Sequence, residues 1–108
     1  MIEQKARIVS LEGDWDIARR EELERLLKPA YDSAGGLILD MRSVNYADST
    51  ILAALIVLRN RRRTKGLPVP ALVIQSLHVR RLFSIAGLDQ AFPTYDSLEE
   101  AQADGLTL

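Results

Sequence analysis

The sequence contains no cysteine. Disulfides, thiolate nucleophiles and cysteine-based metal sites are therefore excluded, and a reducing compartment is the natural setting. There is one histidine, His78, in Ser76-Leu77-His78-Val79-Arg80. With no second imidazole beside it, only scattered carboxylates remain as metal ligands, and no metal or cofactor is expected. An excess of one charge is missing too: 14 Lys and Arg against 15 Asp and Glu leave a formal net charge of -1. No global field is present to collect nucleic acid or an anionic membrane. The longest apolar run, Ile51 to Leu58, falls far short of the ~20 residues of a membrane span. The start, MIEQKARIVSL, lacks the basic region and apolar run of a signal peptide. A cytoplasmic protein with no membrane insertion is expected. No glycine-rich phosphate loop of either common pattern occurs. What is present is ordinary for a globular protein: 108 residues, 47% apolar and 27% charged, the size of one domain over 1–108.

The β-branched run from Ala6 to Leu11, stopped by Gly13, reads as a strand. Asp14 and Asp16 are candidate helix caps. Leu23, Leu26, Leu27 and Ala30 recur at helical spacing and predict a helix over 17–31, weakened at its end by Pro29. After the break at Gly35-Gly36, Leu37 to Met41 predicts a strand covered on both faces, with 42–47 as a connection. Asp48-Ser49-Thr50 opens a helix that turns basic at Arg59 to Lys65 and stops at Gly66, the charge order that suits the helix dipole. A strand over 71–75, a helix capped by Ser76 and ended by Gly87, a short strand over 92–95 and a helix from Asp96-Ser97 complete the chain. Alternating strands and helices predict an α/β layer fold with a mostly parallel or mixed sheet of four to five strands and about four helices.

The candidate chemistry is sparse. The basic run Arg59 to Lys65 has no interleaved aromatics to stack bases, so it reads as the solvated end of a helix. A Ser-His-acid site would have to draw on Ser49 and His78, and no nucleophile elbow is present. A phospho-aspartate receiver is disfavoured because the strand over 71–75 ends without Asp or Lys. A small enzyme would rest on Asp16, Asp40 and Asp48 at expected strand ends, where ligands of open α/β sheets gather. Asp48-Ser49-Thr50 reads first as an N-cap. The same place has a second use. Phosphate on a first-turn hydroxyl adds nearly two negative charges to the surface without breaking the helix.

Four stretches resemble the STAS family, of the anti-sigma factor antagonist type: Gly13-Asp14-Trp15-Asp16; Leu37-Ile38-Leu39-Asp40-Met41 with Val44; Ala47-Asp48-Ser49-Thr50; and Val79-Arg80-Arg81-Leu82-Phe83 continuing through Ala86-Gly87-Leu88-Asp89 to Phe92 and Ala101. The resemblance implies a non-enzymatic, phospho-switched binding module for transcription regulation in a bacterial cytoplasm. Its unphosphorylated form would sequester an anti-sigma factor that is also a Ser/Thr kinase of the histidine-kinase-like ATPase fold, and a PP2C-type phosphatase would reset it. Carried over by position, Ser49 (alternatively Thr50) is the phosphoacceptor, with Asp16 and Asp48 lining the site and Trp15, Thr50 and Ile51 as further partner-binding positions. The sequence departs from the pattern at Ile51, where the signature has Gly, at Trp15, where it has an aliphatic residue, and in a short first strand pair. The alternative implied by Ile51 is a STAS interaction module without phosphorylation, in a transport or signalling scaffold.

Overall fold

Four aliphatic-rich stretches form the sheet of the computed structural model, which describes residues 6–106: β1 (Arg7–Trp15), β2 (Leu37–Ala47), β3 (Ala71–Val73) and β4 (Thr94–Tyr95). The helices are α1 (Arg20–Leu27), set between 3-10 turns at Ile17–Arg19 and Lys28–Ala30, then α2 (Ser49–Thr64), α3 (Leu77–Ile85) and α4 (Leu98–Leu106). Strand order is β1-β2-β3-β4, and every pairing is parallel. Each connection is therefore a crossover. Steps in one direction with right-handed crossovers place α1, α2 and α3 on the same face.

The side chains follow that arrangement. Leu37, Leu39 and Met41 of β2, with Leu11, Leu72 and Ile74, pack against Leu23 and Leu27 of α1, Leu55 and Leu58 of α2, and Val79 and Phe83 of α3. The alternate residues Ile38 and Val73 face the other way and meet Ala101 of α4 in a smaller cluster. Alternation along a strand thus divides the apolar residues between two cores of unequal size.

The first two strands are longer than the sequence suggests. Gly13 does not end β1. It adopts φ 85° within a strand whose register shifts on either side of it, the behaviour of a bulge rather than a stop. The expected connection over 42–47 is strand as well, because it pairs with the extended β1: Glu12 with Ser43, Gly13 with Val44 and Trp15 with Ala47. Val44 and Ala47 face the core, a spacing of three that a simple alternation would not reveal. Pro29 converts the last turn of the expected 17–31 helix into 3-10 geometry, as a residue without an N–H does. The five residues ahead of Ala6, on which the length of the first strand pair depends, lie outside the described residues.

A further correction concerns the basic end of α2. Arg62 is not solvated; it is 0% exposed. Its guanidinium donates to Ala30 O at 2.8 Å, Ser33 O at 2.9 Å, Ser33 Oγ at 3.2 Å, Gly35 O at 2.7 Å and Pro68 O at 2.8 Å. Its own carbonyl accepts from Lys65 N and Leu67 N at 3.1 and 2.8 Å. Burial lowers its pKa from the ordinary value. The carbonyls it receives include those at the end of the α1 segment, where the helix dipole is negative.

Two outcomes follow from this packing. Arg62→Met should lower the unfolding free energy by about 3 kcal/mol in urea denaturation, because it removes the donors of one buried and several half-buried acceptors at once. Arg62→Lys, with a point charge in place of the planar fork, should recover little of that loss. At the far end of the chain, the Tyr95 hydroxyl donates to Asp104 Oδ2 at 2.6 Å. That bond, with burial second, pushes the phenol up from 10.0 to about 12. The raised value means that the link stabilises fully below pH 10 and is lost as pH rises through about 12. In an ultraviolet titration one of the three tyrosines should therefore ionise late, and Tyr95→Phe should remove that late component.

Candidate functional site

The strands are parallel, so their C-terminal ends share one rim of the sheet, where β1 runs into Asp16 and β2 into Asp48. Asp48 N donates to Trp15 O at 3.1 Å, which extends the ladder by one bond and fixes where α2 begins. The Asp48 side chain then caps α2, accepting from Thr50 N at 2.8 Å. Asp16 does the same for the 3-10 turn, accepting from Ala18 N at 3.0 Å. Both carboxylates are therefore structural caps first.

Below them lies a rigid support. Trp15 is buried, and the guanidinium carbon of the half-buried Arg19 sits 3.5 Å from the ring centroid, a cation–π contact. Arg19 also donates to Glu12 O and Asp14 O at 2.9 Å each and grips both carboxylate oxygens of Glu22. The hydrogen bond from Arg19, ahead of its charge, holds the Glu22 carboxyl below its ordinary range. Gly13 is favoured here on two counts: its φ is positive, and a Cβ would lie 3.2 Å from Arg19 Nη1, a tight approach. The indole N–H of Trp15 is buried with no acceptor among the described residues.

Ser49 projects from this platform as the first residue of α2. It is exposed, and its hydroxyl makes no hydrogen bond among the described residues. Thr50 is half-buried. Ser49 and Thr50 sit at one end of a groove of about 370 Å³ between α1 and α2, lined also by Ile17, Arg20, Glu24 and Val57. The rim carries exposed apolar side chains: Ile17 at 71% and Leu77 at 78%, with Tyr46 stacked on His78 at 5.6 Å between ring centroids. Exposed apolar side chains on the rim of a sheet are a feature of interaction surfaces.

Of the residues singled out in the sequence, Asp16, Asp48, Ser49 and Thr50 come together on this rim. Trp15 and Ile51 do not present side chains there. They are 2% and 0% exposed, and their side chains fill the core beneath it. Asp40 is apart from the other two carboxylates, in mid-β2, where Arg42 clamps it at 2.9 and 2.8 Å. That hydrogen-bonded pair lowers its pKa. No three metal-ligating side chains converge among the described residues, and no helix among them is long and apolar enough to cross a membrane. The enzyme reading on Asp16, Asp40 and Asp48 thus has no assembled trio. Sequence reasoning missed Arg19 as a support and Ile17 and Leu77 as exposed. The Arg19–Glu22 spacing of three was the available signal for the first.

Capping and surface display separate experimentally at adjacent residues. Asp48→Ala should cost about 1 kcal/mol of stability in chemical denaturation, whereas Ser49→Ala should change it by less than about 0.5 kcal/mol.

The fold matches those of known proteins. The chain superimposes on an anti-sigma factor antagonist from Mycobacterium paratuberculosis with a TM-score of 0.78 and 25% identity, covering 94% of this chain and 85% of that one. It also superimposes on a sulfate transporter family protein from Wolinella succinogenes with a TM-score of 0.76 and 19% identity, covering 97% and 88%; that second likeness is one of fold. The family model of the STAS domain matches residues 2–101, and with that match over nearly its whole length the chain belongs to the STAS domain family.

Proposed function

We propose that this domain is an anti-sigma factor antagonist, a protein-binding module switched by phosphorylation of Ser49. The observation that carries the reading is the position of that hydroxyl: exposed, unbonded among the described residues, and lining one groove with the exposed Ile17. A kinase can reach it without unfolding the helix. Ser49 is the acceptor in preference to Thr50, which is half-buried and has its amide tied to Asp48. The partner is an anti-sigma factor with Ser/Thr kinase activity and the histidine-kinase-like ATPase fold, and a PP2C-type phosphatase removes the phosphate. The domain itself is a ligand and substrate of these enzymes and performs no catalysis.

The apolar rim supplies contact area for docking, and phosphate placed at its centre must be desolvated against the partner. Nearly two added negative charges beside Asp48 make that unfavourable. Ile51, the departure that motivates an unswitched scaffold, points inward. Its side chain therefore adds no bulk to the surface a partner would touch, which weighs against the scaffold reading.

The test is binding of the kinase-like partner encoded in the native host. Wild-type protein should bind it about 100-fold more tightly than Ser49→Asp, a difference of about 2.8 kcal/mol, and phosphopeptide spectra from cells should show phosphate on Ser49 that varies with growth phase. Equal binding by the two proteins, together with unmodified Ser49 under all conditions, would sink the proposal.

A further inference from the structure

The α1–α2 groove holds a second component that bears on the same residue, and its role rests on the reading of Ser49 as the phosphoacceptor. Helices α1 and α2 both start from the C-terminal rim of a parallel sheet and run back along the same face, so their first turns lie at the same level. This level brings Arg20, in the first turn of α1, into one groove with Ser49 and Thr50, in the first turn of α2. Among the described residues lining the groove, Arg20 is the one cation.

Two neighbouring features single out Arg20 as the group that moves. The adjacent Arg19 is fully committed to Glu22 and to the carbonyls of Glu12 and Asp14. Among the described residues Arg20 has only Glu24, at 3.2 Å, in a pair whose side chains are 66% and 54% exposed. Exposed pairs at this spacing are weak. The backbone offers the phosphate little alternative, because the N–H of Thr50 already binds the Asp48 side chain and that of Ile51 the Asp48 carbonyl. With those two N–H groups engaged, a full counter-charge for a phosphate on Ser49 is supplied by a side chain. A guanidinium prefers a dianionic phosphate, which it can grip with two parallel bonds, to a solvated carboxylate.

We propose that, once Ser49 carries phosphate, Arg20 leaves Glu24 and closes onto the phosphoserine across the mouth of the α1–α2 groove. The phosphorylated surface is then altered twice. It gains the ester, and it loses an open groove in which Ile17 and Val57 had been accessible.

The test uses the full chain with phosphoserine genetically encoded at position 49, followed by phosphorus NMR across pH. A free phosphoserine loses its second proton near pH ~6. In the otherwise wild-type protein this ionisation should fall about 0.5 unit or more below its value in the Arg20→Gln protein, since a nearby cation favours the dianion. The Glu24→Gln change, which releases Arg20, should lower it further. Arg25→Gln, a change at a cation outside the groove lining, should leave it in place, and high salt should shrink the shift. Identical titrations with and without Arg20, or an equal effect from Arg25→Gln, would overturn the proposal. Because the phosphate is installed during synthesis, the outcome is independent of any cellular kinase. Unmodified Ser49 in cells would remove the proposed function and leave this intramolecular result standing.

Discussion

One buried guanidinium organises the end of the molecule opposite the site. Arg62 reaches from the last turn of α2 into three pieces of irregular chain: the 3-10 turn at Ala30, the bend through Ser33 and Gly35, and the loop at Pro68. None of these carbonyls has a helix or a ladder to satisfy it, and an unpaired buried carbonyl is unfavourable. Arginine is the one side chain with enough donors in a fixed plane to serve them together. It therefore does for loops what a ladder does for strands. With the lower ends of α1 and α2 tied through this residue, their upper ends are set at a fixed separation, and the groove beside Ser49 inherits its width.

The rim at the other end has its own fixture, built from an aromatic plane and a cation. The bulge at Gly13 turns β1 so that Trp15 goes inward and Arg19 folds back over it. The backbone of Trp15 then receives the amide of Asp48. That bond continues the pairing of Trp15 with Ala47 by one residue, and the capping aspartate starts α2 at Ser49. Trp15, which supports the rim, is out of solvent, and the Ser49 hydroxyl above it makes no hydrogen bond among the described residues. Such a division allows a modification to change recognition while the fold stays as it is.

Much of this arrangement was legible in the sequence, because the alternation of strands and helices is written in local periodicity and caps. The starts of α2 and α3 and the glycine stop after α3 follow from single residues whose preferences are strong: Asp48, Ser76 and Gly87. What local pattern missed depends on partners distant in the chain. The strand character of 42–47 comes from pairing with β1, roughly thirty residues earlier. The burial of Arg62 depends on carbonyls from the 3-10 turn at Ala30, the bend through Ser33 and Gly35, and the loop at Pro68, and a run of arginines gives no sign of which one turns inward. The signature motif had the same ambiguity. Read as a string, Asp48-Ser49-Thr50-Ile51 is one site; in the fold its first two residues form the surface and its last one fills the core.

The position of Trp15 has an optical consequence. It is the sole tryptophan of the chain, it is shielded from water, and its backbone holds the residue that caps α2. The intrinsic emission of the protein thus comes from a single environment, directly beneath the rim, with a guanidinium resting on the emitting ring. Any event that shifts the start of α2 or lifts Arg19 alters the field and the quenching at that ring. The domain consequently carries its own fluorescent reporter, with no need for an added label, in the place where a partner would arrive.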